Sequence, residues 1–343
     1  MKPDSKRKAR VTGRTPNRPD CAIYVTNLQE WRHLMSDHKL IQVQTAVNKI
    51  IRGKEDVVQK VLAAIIGGGH ILMEDIPGVG KTTLATTFAK VLSLDYKRVQ
   101  FTPDVLPSDL LGFSMYHSQK GEFEFQEGAV FCNLLLADEI NRTSPKTQSA
   151  LLEVMEERQV SIEGTTRGLP NPFTVIATQN PAGSSGTQLL PESQLDRFLI
   201  RLSMGYPGHE DAVALLKGEV WKQLAGVTPI LSLEELLELQ TKTEAVFVHD
   251  SLYEYMVSLV EQTRNNPLYA QGASPRAAIA LLRMSRAMAM IDGRDFITAH
   301  DVQSVLVDVL GHRVRLSARA LAEGISPAAA IDKLYETVRT PKI

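Results

Sequence analysis

Cysteine is nearly absent: Cys21 and Cys132 are the only two in 343 residues, they lie in unlike contexts, and no C-x-x-C pair occurs. A disulfide framework and a zinc site are therefore both excluded as organising features, and Cys132 is expected to pack at a strand edge. An excess of one charge is missing too, since 38 lysines and arginines stand against 39 aspartates and glutamates. No global basic field draws the chain to nucleic acid or to an anionic membrane. No apolar run has the length of a membrane helix, and the N-terminus lacks the apolar stretch of a signal peptide. Membrane insertion is not expected, and the cytoplasm follows as the default location. With 43% hydrophobic residues, the chain can still bury one large core or one medium and one small domain, the second being the expectation.

Residues 1–20 hold almost nothing apolar and are expected to form a disordered basic tail, in which Lys6, Arg7, Lys8 and Arg10 are read as solvated. Two helical patterns follow, one beginning at Ile41 and Thr45 and one through Val57, Val58, Val61, Leu62 and Ile65, separated by Arg52-Gly53-Lys54. They lead into the most informative stretch, HILMEDIPGVGKTT from His70 to Thr83.

There a short apolar run breaks into a glycine-containing turn that ends in Gly-Lys-Thr and opens a helix with Leu84, Phe88 and Val91 on one face. Gly78 and Gly80 let the backbone turn tightly enough for successive N–H groups to face a phosphate, and the helix N-terminus adds its dipole. Lys81 is placed to reach β- and γ-phosphates, and the Thr82 hydroxyl to hold magnesium. Val79, Thr83 and Gly53 complete the candidate nucleotide-binding set. The pattern departs from G-x-x-x-x-G-K-[ST] at one position, where Asp75 replaces the first glycine.

Leu134-Leu135-Leu136-Ala137 is a continuous apolar run of the kind buried on both faces of a sheet, and it delivers Asp138-Glu139 at its end. Phe173 to Thr178 delivers Gln179-Asn180 in the same way, and Tyr96 to Phe101 and Phe198 to Leu202 read as further strands. Alternation with helices predicts an open parallel α/β sheet with its reactive groups beyond the strand ends. Asp138 is the expected magnesium partner, Glu139 the expected base that polarises the attacking water, and Asn180 a hydrogen-bond partner of the γ-phosphate or that water. Two hairpin-like segments, 112–127 and 158–172, read as excursions from the sheet, with Phe123 and Phe125 alternating as hairpin core residues. Beyond Tyr206-Pro207-Gly208 only helical patterns appear. Ser274-Pro275 caps one of them, and Thr298 with Asp301 resembles a capping box ahead of another. The predicted division is a core over 21–206 and a helical domain over 207–343.

Taken together and in order, GHILMEDIPGVGKTTLA, FTPDVLPSDLLG, GAVFCNLLLADEINRTSPKTQSALLEVMEERQVSI, FTVIATQNP, LPESQLDRFLIRLSMGYP and GASPRA closely resemble the MoxR family of AAA+ ATPases. The resemblance implies an α/β nucleotide domain with a helical lid, an ATP- and magnesium-dependent hydrolase, and assembly as a homo-oligomeric ring, usually of six. It makes Lys81 and Thr82 Walker A positions, Asp138 and Glu139 Walker B, and Asn180 sensor 1. Arg197 resembles the arginine finger supplied to a neighbouring subunit, and Arg276 matches sensor 2. Family members are thought to act as chaperones of proteins with von Willebrand factor A domains, which makes such a protein the expected partner. A nucleic-acid motor or clamp loader is the alternative reading, and the near-neutral charge argues against it.

Overall fold

A computed structural model describes residues 39–180 and 190–341. The expected tail at 1–20 and Cys21 lie outside the described residues. Nine strands in chain order precede the helical region: β1 (Ile71–Glu74), β2 (Tyr96–Gln100), β3 (Gly112–His117), β4 (Glu122–Glu127), β5 (Leu134–Asp138), β6 (Gln159–Ile162), β7 (Thr165–Gly168), β8 (Thr174–Gln179) and β9 (Ile200–Leu202). Five of them make one parallel sheet in the order β2-β5-β8-β1-β9. The others pair as two antiparallel hairpins, β3 with β4 and β6 with β7, as the two excursions predict.

The apolar runs explain the centre of the sheet. Leu134 to Ala137 are fully buried, as are Val175 to Ala177, because helices cover both faces of these interior strands. Each such leucine contributes on the order of 2 kcal/mol of hydrophobic stabilisation. Parallel strands end on the same edge, so the register that pairs Gln100 with Asp138 and Glu74 with Gln179 lines up polar residues along it. That edge is where the site lies.

After β9, helices His209–Leu216, Glu219–Ala225, Leu233–Glu244, Asp250–Asn265, Pro275–Ile291 and Ala299–Leu310 follow, and Pro275–Ile291 packs against both Ala299–Leu310 and the early helix Glu55–Ile66. Ser274 caps its helix by accepting from the Arg276 amide, and Thr298 with Asp301 forms the anticipated capping box.

Four expectations need correction. The helical region is not purely helical: Tyr269–Gln271 and Arg315–Leu316 form a small antiparallel pair, too short to carry an alternating pattern. Helix Lys39–Ile50 turns Val43, Val47 and Ile50 inward while Ile41 is 50% exposed, because its buried face is chosen by packing on Lys81–Val91 and Glu55–Ile66. Cys132 is fully buried, just ahead of an interior strand rather than at an edge, and burial pushes its thiol up to about 12. Phe125 packs edge-on against Phe131 with the Arg167 guanidinium 3.9 Å above its ring, but Phe123, two residues nearer the turn, is 72% exposed beside Tyr116. Only the end of the ribbon that meets the core is covered.

Candidate nucleotide site and a separate arginine cavity

Gly78 and Gly80 stand at φ +84° and +102°, backbone that a side chain would strain, and a Cβ on Gly78 would meet nothing within 4 Å. Gly80 caps helix Lys81–Val91, so the free amides of its first turn open into a cavity of about 380 Å³. Lys81 is half-buried there. Its ammonium donates to the carbonyls of Asp75 at 2.9 Å and Ile76 at 3.3 Å rather than to a carboxylate. Burial pulls its pKa below the ordinary lysine range, against the pull of Asp75, Asp138 and Glu139 in the other direction. A partly desolvated cation beside unpaired helix amides is a receptor for an anion.

Asp138 and Glu139 face the same cavity with Thr82, Thr83 and Asn180. Asp138 accepts from Thr178 Oγ1 at 2.6 Å and from Arg98 Nη2 at 2.7 Å. Glu139 is held in the left-handed region at φ +57° while its amide donates to Thr178 Oγ1 at 2.9 Å, strain of the kind that accumulates where side-chain direction matters. Its carboxylate accepts from Gln100 Nε2 at 2.8 Å and Arg142 Nη1 at 2.6 Å. Both donors act on Oε2 and fix the carboxylate, so Oε1 is the oxygen placed to take a proton from water. Asn141, next in the strand-end turn, is buried and donates to the Asn180 carbonyl at 3.4 Å.

The cavity thus gathers Gly78, Gly80, Lys81, Thr82, Thr83, Asp138, Glu139 and Asn180 from residues chosen on local pattern alone. Val79 belongs to the same turn without lining the cavity. Gly53 does not join it: at φ +65° it sits against Asp211, where a Cβ would lie 2.9 Å from the carboxylate. Arg197 and Arg276 are elsewhere. Both line a second cavity of about 260 Å³ with His70, Leu199, Arg158, Arg283 and Arg313 that shares no lining residue with the first. Arg197 donates to the Leu152 carbonyl at 2.6 Å and pairs with Glu156 at 3.3 Å, and Arg276 takes the other oxygen of Glu156.

The residues present fit a nucleoside triphosphate and a divalent cation. No three His, Cys, Asp or Glu side chains cluster as a metal cage among the described residues, but magnesium needs only one or two protein oxygens beside phosphate and water. Thr82 and Asp138 could supply them.

Residues 70–200 match the ATPase family associated with various cellular activities (AAA), and residues 261–334 match the AAA lid domain. Chaperone MoxR1 of Mycobacterium tuberculosis is 42% identical over 320 residues, covering 89% of this chain and 83% of that one. Protein MoxR of Paracoccus denitrificans is 30% identical, covering 92% and 99%. This chain belongs to the MoxR family of AAA+ ATPases. A crystal structure of a putative ATPase from Cytophaga hutchinsonii superposes with a TM-score of 0.84 at 39% identity, covering 93% of this chain and all of that one.

As a MoxR-type AAA+ ATPase the chain is an ATP-hydrolysing enzyme with an α/β nucleotide domain and a C-terminal helical lid, as the sequence resemblance implied. Sequence reasoning missed Arg98, Gln100, Arg142 and Thr178, which hold the acidic pair. Gln100 ends a parallel strand on the edge where such folds bind ligands, so its position was a usable signal. The pairing of Arg98 with Asp138 required the strand order.

Proposed function

We propose that this MoxR-type ATPase works as a ring, usually of six copies, that spends ATP hydrolysis on remodelling a partner protein with a von Willebrand factor A domain. Lys81 and the amides from Gly78 to Thr83 bind the phosphates, and Thr82 and Asp138 hold magnesium, which neutralises charge on the phosphates when bound. Glu139 accepts the proton of the attacking water at Oε1 while Gln100 and Arg142 hold Oε2, and Asn180 orients that water. The core, over 21–206, thereby carries the chemistry, and the domain over 207–343 moves with it.

One observation carries the ring: the arginine cavity and the nucleotide cavity lie at opposite ends of β1, with His70 just before the strand and Asp75 just after it. At about 3.3 Å per residue that is roughly 16 Å along the strand, more than a guanidinium can span. Arg197 and Arg276 therefore serve a neighbour's nucleotide, and each site is complete only between two copies. The name of the Mycobacterium relative supports the chaperone role.

The test is affinity capture with Glu139→Gln protein loaded with Mg–ATP, followed by ATPase assays with the captured protein and with single- and double-stranded DNA. Recovery of a von Willebrand factor A-domain protein that changes turnover is the expected result. Stimulation by DNA alone would overturn the chaperone reading in favour of a nucleic-acid motor.

A further inference from the structure

Asp75 occupies the first glycine position of the phosphate-binding turn and lines the nucleotide cavity, and the hydrogen bonds its carboxylate accepts come from the segment after β9. The residue is 5% exposed and accepts three hydrogen bonds from three consecutive residues: Ser203 Oγ at 2.7 Å, the Met204 amide at 2.6 Å and the Gly205 amide at 3.0 Å. Ser203 to Gly205 is the stretch that leaves β9 and leads through Tyr206 to the first lid helix at His209. Gly205 stands at φ +62°, backbone that suits a glycine, and Met204 is buried with its methyl 3.7 Å from where a Cβ on Gly80 would be. Lys54 donates to the Tyr206 carbonyl at 2.9 Å, so the segment is gripped again just beyond the aspartate.

The same residue is tied to the phosphate-binding lysine from its other end. The Asp75 and Ile76 carbonyls are the acceptors that hold the Lys81 ammonium. When Lys81 turns to a phosphate, both carbonyls lose their donor and the turn at 75–76 relaxes. A glycine at position 75 would pass none of that change on. A carboxylate clamped by charge-assisted hydrogen bonds to two backbone amides and a hydroxyl passes it to the lid connection.

We infer that Asp75 is a positioning residue that couples occupancy of the phosphate-binding turn to the setting of the helical lid. The coupling rests on the reading of Gly78 to Thr83 as a phosphate cradle, and it is a free energy shared by the two sites, so it acts in both directions.

Asp75→Gly tests it directly, because glycine is what the phosphate-binding pattern itself requires there. Three measurements on the full chain decide: calorimetric affinity for ADP, hydrogen exchange of the 203–206 amides with and without ADP, and the separation of kcat from KM. In the wild type, exchange at Met204 and Gly205 should change when ADP binds. In Asp75→Gly, ADP affinity should stay within about threefold, exchange at 203–206 should be fast and indifferent to ADP, and kcat should fall about tenfold with KM little changed. Retained ADP-dependent exchange with wild-type kcat would overturn the coupling.

Should Asp75→Gly fail to fold, Ser203→Ala removes only one hydroxyl and reads the same way, with a fall in kcat of about twofold to threefold and weaker ADP dependence of exchange. Wild-type values for Ser203→Ala would then overturn it. Failure of the cradle itself is separately visible, since a Lys81→Ala protein would then bind ADP as the wild type does.

Discussion

Arg197 and Arg276 close on one carboxylate: Arg197 Nη1 lies 3.3 Å from Oε2 of Glu156, and Arg276 pairs with Oε1. Arg197 precedes β9 in the nucleotide domain and Arg276 opens a lid helix, so Glu156 draws arginines from both parts of the chain to one point. In the proposed ring a neighbour's phosphate takes the role that Glu156 fills within the single chain.

Two inactive variants should restore each other. Arg197→Ala should bind ATP but lose a factor of about 10³ in turnover, the size of an arginine supplied in trans. Mixed with Lys81→Ala, which keeps its arginine and loses its cradle, it should regain part of the activity as intact cradles meet intact arginines. Mixed rings seen by native mass spectrometry yet devoid of activity would count against a trans arginine, as would full turnover by wild-type monomer.

Lys81→Ala alone should abolish ATP binding with the fold intact, because it removes the cation that faces the phosphates. Calorimetry is the measurement, with circular dichroism to establish folding. Wild-type affinity would refute the cradle.

Glu139→Gln should bind ATP normally and hydrolyse it about a hundredfold more slowly, the usual scale of a lost general base. The glutamine keeps an acceptor for Gln100 and Arg142, so the local structure is retained. Phosphate release at near-wild-type rate would move the base elsewhere.

Stability should fall with acid through His70. Its Nδ1 accepts from the Val175 amide at 3.0 Å, which places the proton on Nε2, 2.9 Å from the Met155 carbonyl, and burial pushes its pKa down to about 4 from the ordinary histidine value of about 6.5. Above the unfolded pKa both states are neutral and the full stability is present. Below it the unfolded chain takes a proton that the native ring cannot, so about 2 kcal/mol is lost by pH 5. Urea midpoints between pH 8 and 5 measure this, and His70→Gln should flatten the curve in part, since burial also lowers His312. A midpoint unchanged across that range would show that His70 is not buried neutral.

What the sequence determined by itself is what depends on neighbours along the chain. A run such as Leu134 to Ala137 has nowhere to go but an interior strand, and glycines at 78 and 80 before Lys81 bend the backbone whatever lies around them. The acidic pair, the cradle, the hairpins and the helix caps were legible for that reason. Tertiary structure alone decided which distant groups meet. Asp75 finds Ser203 128 residues away, Gln100 and Arg98 reach the acidic pair only because β2 lies beside β5, and Gly53 is left outside the cavity. It also decided which faces are covered, exposing Ile41 and Phe123 and burying Cys132. Periodicity and backbone preference act over a few residues, whereas strand order and the docking of the lid bring together groups with no local signal of one another.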